Sequence, residues 1–158
     1  MPLPDPAPVL IVDDDDLVRA ILRKRLEYQG IAVMDVASAE EALAAVEANR
    51  IGTLVLDIHM PGQSGLALAE FIRLFGLHLT GVPIVIFTGT NPTPEVLETA
   101  RRYDADVFLK PDGLNALLQR ISVLAHPVNQ LLRLEHPGSN PQTNFIADEP
   151  RDLREPES

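Results

Sequence analysis

At 158 residues and 46% hydrophobic, the chain is long enough for one domain with a real core, and no apolar run approaches the ~20 residues of a membrane span. The absence of cysteine excludes disulfides and thiolate metal sites. A net charge of −10, from 23 acidic and 13 basic residues, argues against direct nucleic-acid binding, which needs clustered Lys and Arg on the phosphates.

The N-terminal segment MPLPDPAP lacks the basic and apolar regions of a signal peptide, so a cytoplasmic protein is expected, with residues 1–7 as an arm. VLIV (9–12) is a strand-like apolar run, followed by four aspartates, Asp13 to Asp16. Like charges about 4 Å apart cost ~1 kcal/mol in water and ~4 kcal/mol at the effective dielectric of a protein surface. Either some of these side chains cap the helix, or a cation or a cationic residue is expected there. Leu17, Val18, Ile21, Leu22 and Leu26 then form a helical stripe ending before Gly30, the C-cap. The basic run Arg23, Lys24, Arg25 reads as solvated helix surface.

IAVMDV (31–36) is the second strand. SAEE (38–41) opens a helix to about Asn49 as a capping box, Ser38 accepting from the Glu41 N–H while Glu41 reaches back. TLVL (53–56) ends at Asp57, and Leu66 to Phe75 is helical, stopped by Gly76. PIVIF (83–87) leads to Thr88, and Thr93-Pro94-Glu95 starts the next helix with proline at its tolerated first position. DVFL (106–109) leads to Lys110, and residues 113–125 form the last helix, with Asp112 as cap and Pro127 beyond its end. Past residue 127 the composition turns to Pro, Asn, Ser and charge. Residues 8–126 are expected to fold and 127–158 to form an extension, disordered over 137–158.

Five continuous apolar strands alternating with five helices predict an α/β, doubly wound parallel sheet with helices on both faces. In such sheets the functional crevice lies beyond the carboxyl ends of the strands. Asp13, Asp14, Asp57, Thr88 and Lys110 all stand there. Asp13, Asp14 and Asp57 would make a hard oxygen cluster suited to Mg²⁺, while Asp15 or Asp16 is the better N-cap of the first helix.

The pieces LIVDDDDLVR, LVLDIHMPGQSGL, IVIFTGT and VFLKP, in this order, make the chain resemble a response-regulator receiver domain of two-component signalling over roughly residues 8–126. The resemblance implies the flavodoxin-like (CheY-like) strand order 2-1-3-4-5. It implies that Asp57 accepts a phosphoryl group from a sensor histidine kinase or phosphotransfer protein. Mg²⁺, or Mn²⁺ in its place, would be held by Asp14 and Asp57 directly, by Asp13 through water, and by the His59 backbone carbonyl. Lys110 would pair with a phosphoryl oxygen and the Thr88 hydroxyl with another. Met60-Pro61-Gly62, with Gly65, resembles the family's tight loop, and Lys110-Pro111 its cis peptide.

Three positions depart from the family pattern. Val107 replaces the usual Tyr or Phe of the conformational switch that also involves Thr88, and Phe108 beside it should face the other side of the strand. Asp104 stands where glycine is common, and Asp112 where phenylalanine is frequent. The implied protein is no enzyme but a stand-alone phosphoacceptor that switches a face for a downstream protein target, without direct nucleic-acid or membrane contact. Two rival readings are an Mg²⁺-dependent phosphatase with an aspartate nucleophile, and a receiver-like binding module that is never phosphorylated. His78, His126 and His136 share no metal-ligand spacing and are expected at the surface.

Overall fold

The structure, a computed structural model, describes residues 5–62, 64–76, 79, 81–126 and 129–130. The expected disorder of 137–158, the helix end at Pro127, and His78 and His136 lie outside the described residues. Five strands, β1 (Val9–Val12), β2 (Val33–Val36), β3 (Thr53–Leu56), β4 (Ile84–Thr88) and β5 (Asp106–Leu109), form one parallel sheet in the order β2-β1-β3-β4-β5. Between and after them run α1 (Asp16–Tyr28), α2 (Ala39–Ala48), α3 (Gly65–Phe75), α4 (Pro94–Arg102) and α5 (Leu114–Leu124). This is the doubly wound, CheY-like order that the resemblance implies.

Strand alternation divides the core into two layers. Leu10, Val12, Leu54, Leu56, Ile84, Ile86 and Val107 face one side and pack with Ala42, Leu68, Ile72, Val96 and Ala100 of α2, α3 and α4. Val9, Ile11, Val55, Val85, Phe87 and Phe108 face the other and pack with Leu22 and Leu26 of α1 and Leu117, Leu118, Ile121 and Leu124 of α5. Val107 and Phe108 thus do point to opposite faces. β1, β3 and β4, buried along their whole length, are the continuous apolar runs of the sequence.

The helix ends follow local chemistry. Asp15, not Asp16, caps α1, its carboxylate accepting from the Leu17 and Val18 N–H groups. At the other end Gly30, at φ +79°, lets its own N–H reach Glu27 O and the Ile31 N–H reach Leu26 O, a Schellman closure. That closure uses the Ile31 amide, so β2 begins at Val33 rather than at 31. Ser38 caps α2 by accepting from the Glu41 N–H, but Glu41 returns to the Ala37 N–H, one residue earlier than a standard capping box.

Thr93 caps α4, with Pro94 in the first turn. Asp112 does not cap α5: Gly113 is its N-cap, with no side-chain bond. The Gly113 N–H donates to Leu109 O at 2.7 Å, and a Cβ there would meet that oxygen at 2.5 Å, so the tight return from β5 puts glycine at the boundary.

Arg23 is not merely solvated. It forms ion pairs with Glu27 and with Asp35 on the edge strand β2, and Arg19 donates to the same Asp35 from Nε at 3.1 Å. At the opposite pole from the strand carboxyl ends, the Gln130 side-chain amide accepts from the Ala7 N–H at 3.0 Å and donates to the Ala7 carbonyl at 3.3 Å. Among the described residues, no helix is long and apolar enough to cross a membrane.

Candidate functional site

Parallel ladder bonds carry each candidate residue to the same rim. The Asp57 N–H donates to Val12 O at 2.9 Å, the Asp13 N–H to Val36 O at 3.2 Å, and the Lys110 N–H to Thr88 O at 2.8 Å. The first residue beyond β1, β3 and β5, and the last residue of β4, therefore line one notch. Asp13 and Asp57 are 2% and 6% exposed and Thr88 is fully buried, whereas Asp14 lies open to solvent. Carboxylate oxygens of Asp13, Asp14 and Asp57 all lie within 4.8 Å of one another.

Lys110 Nζ bonds Asp13 Oδ2 at 2.6 Å and stands 3.5 Å from Asp57 Oδ2. It also lies 5.4 Å from the Phe87 ring centroid, so its ammonium is held between the acids and an aromatic face. The Asp57 carboxylate accepts from the His59 N–H at 3.3 Å. The His59 ring reaches across the mouth to Thr90, Nε2 to Oγ1 at 2.8 Å, and Thr90 Oγ1 is 3.5 Å from Thr88 Oγ1. Val107 is buried among the apolar side chains that include Val96 and Ala100 of α4. His126 is exposed and is not among the residues of the notch.

The β3–α3 loop depends on glycine at two places. Gly62 has φ +88°, and Gly65 lies so close to the nucleophile candidate's backbone that a Cβ would sit 2.0 Å from Asp57 O. The peptide at Lys110-Pro111 is cis.

Burial pushes the Asp57 carboxyl above its ordinary value of 3.8, the Asp13 charge adds to this, and Lys110 and the His59 amide oppose it. Two buried carboxylates and an exposed third, faced by one ammonium, form an oxygen donor set with surplus negative charge, which fits a small hard divalent cation. The raised value has a sign in stability. A folded state that holds the Asp57 proton more tightly than the unfolded chain loses stability as pH rises from 3.8 through the raised value. In chelating buffer at pH 7, Asp57→Asn is therefore expected to melt above the wild type, with the gap closing as pH falls toward 4. Thermal melts followed by circular dichroism measure this, and a variant that melts lower at pH 7 contradicts it.

One contributor was not legible in the sequence. Arg19 Nη1 donates to the Asp13 carbonyl at 2.7 Å, from a helix position outside the apolar stripe of α1. The only local signal is the Asp16–Arg19 pair at i,i+3 spacing.

Comparison with known proteins adds the following. The sequence model described as "Response regulator receiver domain" matches residues 9–122. The chain is 37% identical over 110 residues to the transcriptional regulatory protein FixJ of Azorhizobium caulinodans, covering 69% of this chain and 50% of that one. It is 34% identical over 111 residues to the C4-dicarboxylate transport transcriptional regulatory protein DctD of Rhizobium meliloti, covering 70% and 24%. The chain thus spans half or less of the length of these two relatives. Among solved structures it is similar to the response regulator protein TrrA of Thermotoga maritima in complex with Mg²⁺-BeF, at a TM-score of 0.65 and 26% identity over 75% of this chain and 98% of that one.

Proposed function

The chain belongs to the response regulator receiver domain family, and from that premise we propose that it is a phosphoacceptor of a two-component or phosphorelay system, with Asp57 as the acceptor. The observation that carries the proposal is the buried Asp57 carboxylate, within 4.8 Å of the Asp13 and Asp14 oxygens and 3.5 Å from Lys110 Nζ.

Asp57 Oδ attacks the phosphorus of a phosphohistidine on a sensor kinase or phosphotransfer protein. The P–O bond to Asp57 forms as the P–N bond breaks, and the histidine leaves. An ionised carboxylate needs no general base because it carries no proton to remove. Asp13, Asp14, Asp57 and the His59 carbonyl are the groups that would hold Mg²⁺, or Mn²⁺ in its place. The ion supplies charge neutralisation of the phosphoryl oxygens.

Lys110, already beside Asp57, pairs with one phosphoryl oxygen, and the Thr88 hydroxyl donates to another. Phosphorylation adds close to two negative charges and three acceptor oxygens. Drawing Thr88 toward them moves the loop at Gly89–Thr90 and shifts the population at the face of α4, β5 and α5, where Val107 sits, toward a state that binds a downstream protein. The chain so read works in the cytoplasm as an acceptor, with no turnover beyond slow self-hydrolysis, and contacts neither nucleic acid nor membrane.

The test is incubation with a small acyl phosphate and Mg²⁺, with mass spectrometry of the peptide that contains Asp57. The addition of one phosphoryl group there is expected. Absence of labelling with Mg²⁺ present, or sustained turnover of a phosphomonoester, overturns the reading. Lys110→Ala is expected to fold and still take up phosphate or beryllofluoride slowly, while the amide NMR shifts that beryllofluoride causes from Thr88 to Arg102 in the wild type are lost. Wild-type shifts in that variant would remove Lys110 from the switch.

A further inference from the structure

Arg19 occupies a position that the phosphoryl chemistry does not use, yet all three of its guanidinium nitrogens are engaged. Nη1 donates to the Asp13 carbonyl at 2.7 Å, Nε to Asp35 Oδ2 at 3.1 Å, and Nη2 to Asp16. The side chain is 14% exposed, and Asp35 is held from its other oxygen by Arg23. Burial alone would lower the Arg19 pKa, but the bonds to Asp16 and Asp35 outweigh it and keep the group charged.

The Asp13 carbonyl belongs to the peptide that joins Asp13 to Asp14. That unit is planar, so fixing its oxygen fixes the direction in which the chain leaves toward Asp14. The other polar atoms of Asp13 are occupied as well: its N–H by Val36 O, Oδ1 by the Asp15 N–H and Oδ2 by Lys110. Asp14 is exposed, and the contacts of Asp13 reach it through the geometry of that peptide.

We propose that Arg19, oriented by Asp35 of the edge strand, is a positioning residue that clamps the Asp13–Asp14 peptide and so aims Asp14 at the cation shared with Asp57. The proposal rests on the reading of the acidic notch as an Mg²⁺ site. A planar guanidinium serves three acceptors in fixed directions, which the single ammonium of lysine does not.

Charge and position predict opposite signs. As a nearby cation, Arg19 repels Mg²⁺, so its removal would tighten binding. As a clamp, its removal weakens binding. Groups that orient metal ligands typically change affinity by about ten- to a hundredfold when removed.

Calorimetric titration of Mg²⁺ into the full chain, at a temperature where circular dichroism reports every variant folded, separates the two. Arg19→Gln is expected to bind Mg²⁺ about tenfold more weakly, and Arg19→Lys does not restore it. Asp35→Asn weakens binding in the same direction at both low and high salt, whereas a purely electrostatic loss fades with salt. In the Arg19→Gln background, Asp35→Asn adds less than about twofold, because the two act in series. Equal or tighter binding by Arg19→Gln, or single effects that multiply in the double variant, overturns the proposal. Should Arg19→Gln fail to fold, Asp35→Asn carries the test, and wild-type affinity in it overturns the proposal. A wild type that takes up no Mg²⁺ sinks the reading of the notch itself, and the clamp with it. A wild type that binds, with unchanged variants, sinks the clamp alone.

Discussion

Asp57→Asn is expected to bring acyl-phosphate labelling down to background, a loss on the order of a hundredfold or more, because an amide has no anionic oxygen to attack phosphorus. The substitution preserves size, so the notch keeps its shape. Its neighbours are poor substitutes. Asp13 is tied by Lys110 at 2.6 Å and by the Asp15 N–H at 2.9 Å, and Asp14 is exposed to solvent. Quantitative mass spectrometry of the whole chain reads the result, and label that persists would have to be mapped to another residue. Loss of label through unfolding is distinguishable, since the same variant is expected to gain thermal stability in chelator once the buried charge is gone.

Gly65→Ala carries the second large effect, this time on folding. The added Cβ would stand 2.0 Å from Asp57 O, 2.8 Å from Asp57 C and 3.1 Å from Ile58 Cα. These are backbone atoms that cannot rotate aside, so α3 or the end of β3 must shift. A cost of about 2–4 kcal/mol is expected, in the range of overpacking with backbone displacement. Because the displaced atoms belong to Asp57, Mg²⁺ affinity should fall as well. Gly62→Ala is the contrast: its φ is +88° but open space surrounds it, so the cost is the left-handed conformation alone, about 1 kcal/mol, with the carboxylates undisturbed. Urea midpoints of the two variants measure the difference, and a Gly65→Ala midpoint equal to the wild type would contradict the packing argument.

The layout of the notch was legible because it depends on strand ends. Once VLIV, TLVL, PIVIF and DVFL are parallel neighbours, the residues that follow them must meet at one rim, and Asp13, Asp57, Thr88 and Lys110 do. Caps made by one local side chain were equally readable, as at Thr93 and Ser38.

What escaped the sequence depends on contacts between distant elements or on backbone closure. Asp112 looks like a cap by type, but the close return over Leu109 moves the boundary to Gly113. Arg23 looks like solvated surface until β2 lies alongside α1 and brings Asp35 to it. The His59–Thr90 link spans two loops whose separation no periodicity encodes. Asp104 shows the reverse case. It adopts φ +51°, so the turn before β5 keeps the left-handed conformation in spite of its side chain.

The amide of Gln130, folded around Ala7, ties the entry and exit of the body together at the floor of the sheet. Six residues of extended chain, about 20 Å, separate Ala7 from Asp13. A dye or affinity handle attached at that floor would therefore leave the approach of a phosphodonor unobstructed, and the two processes of tethering and labelling can be studied in one molecule without steric interference.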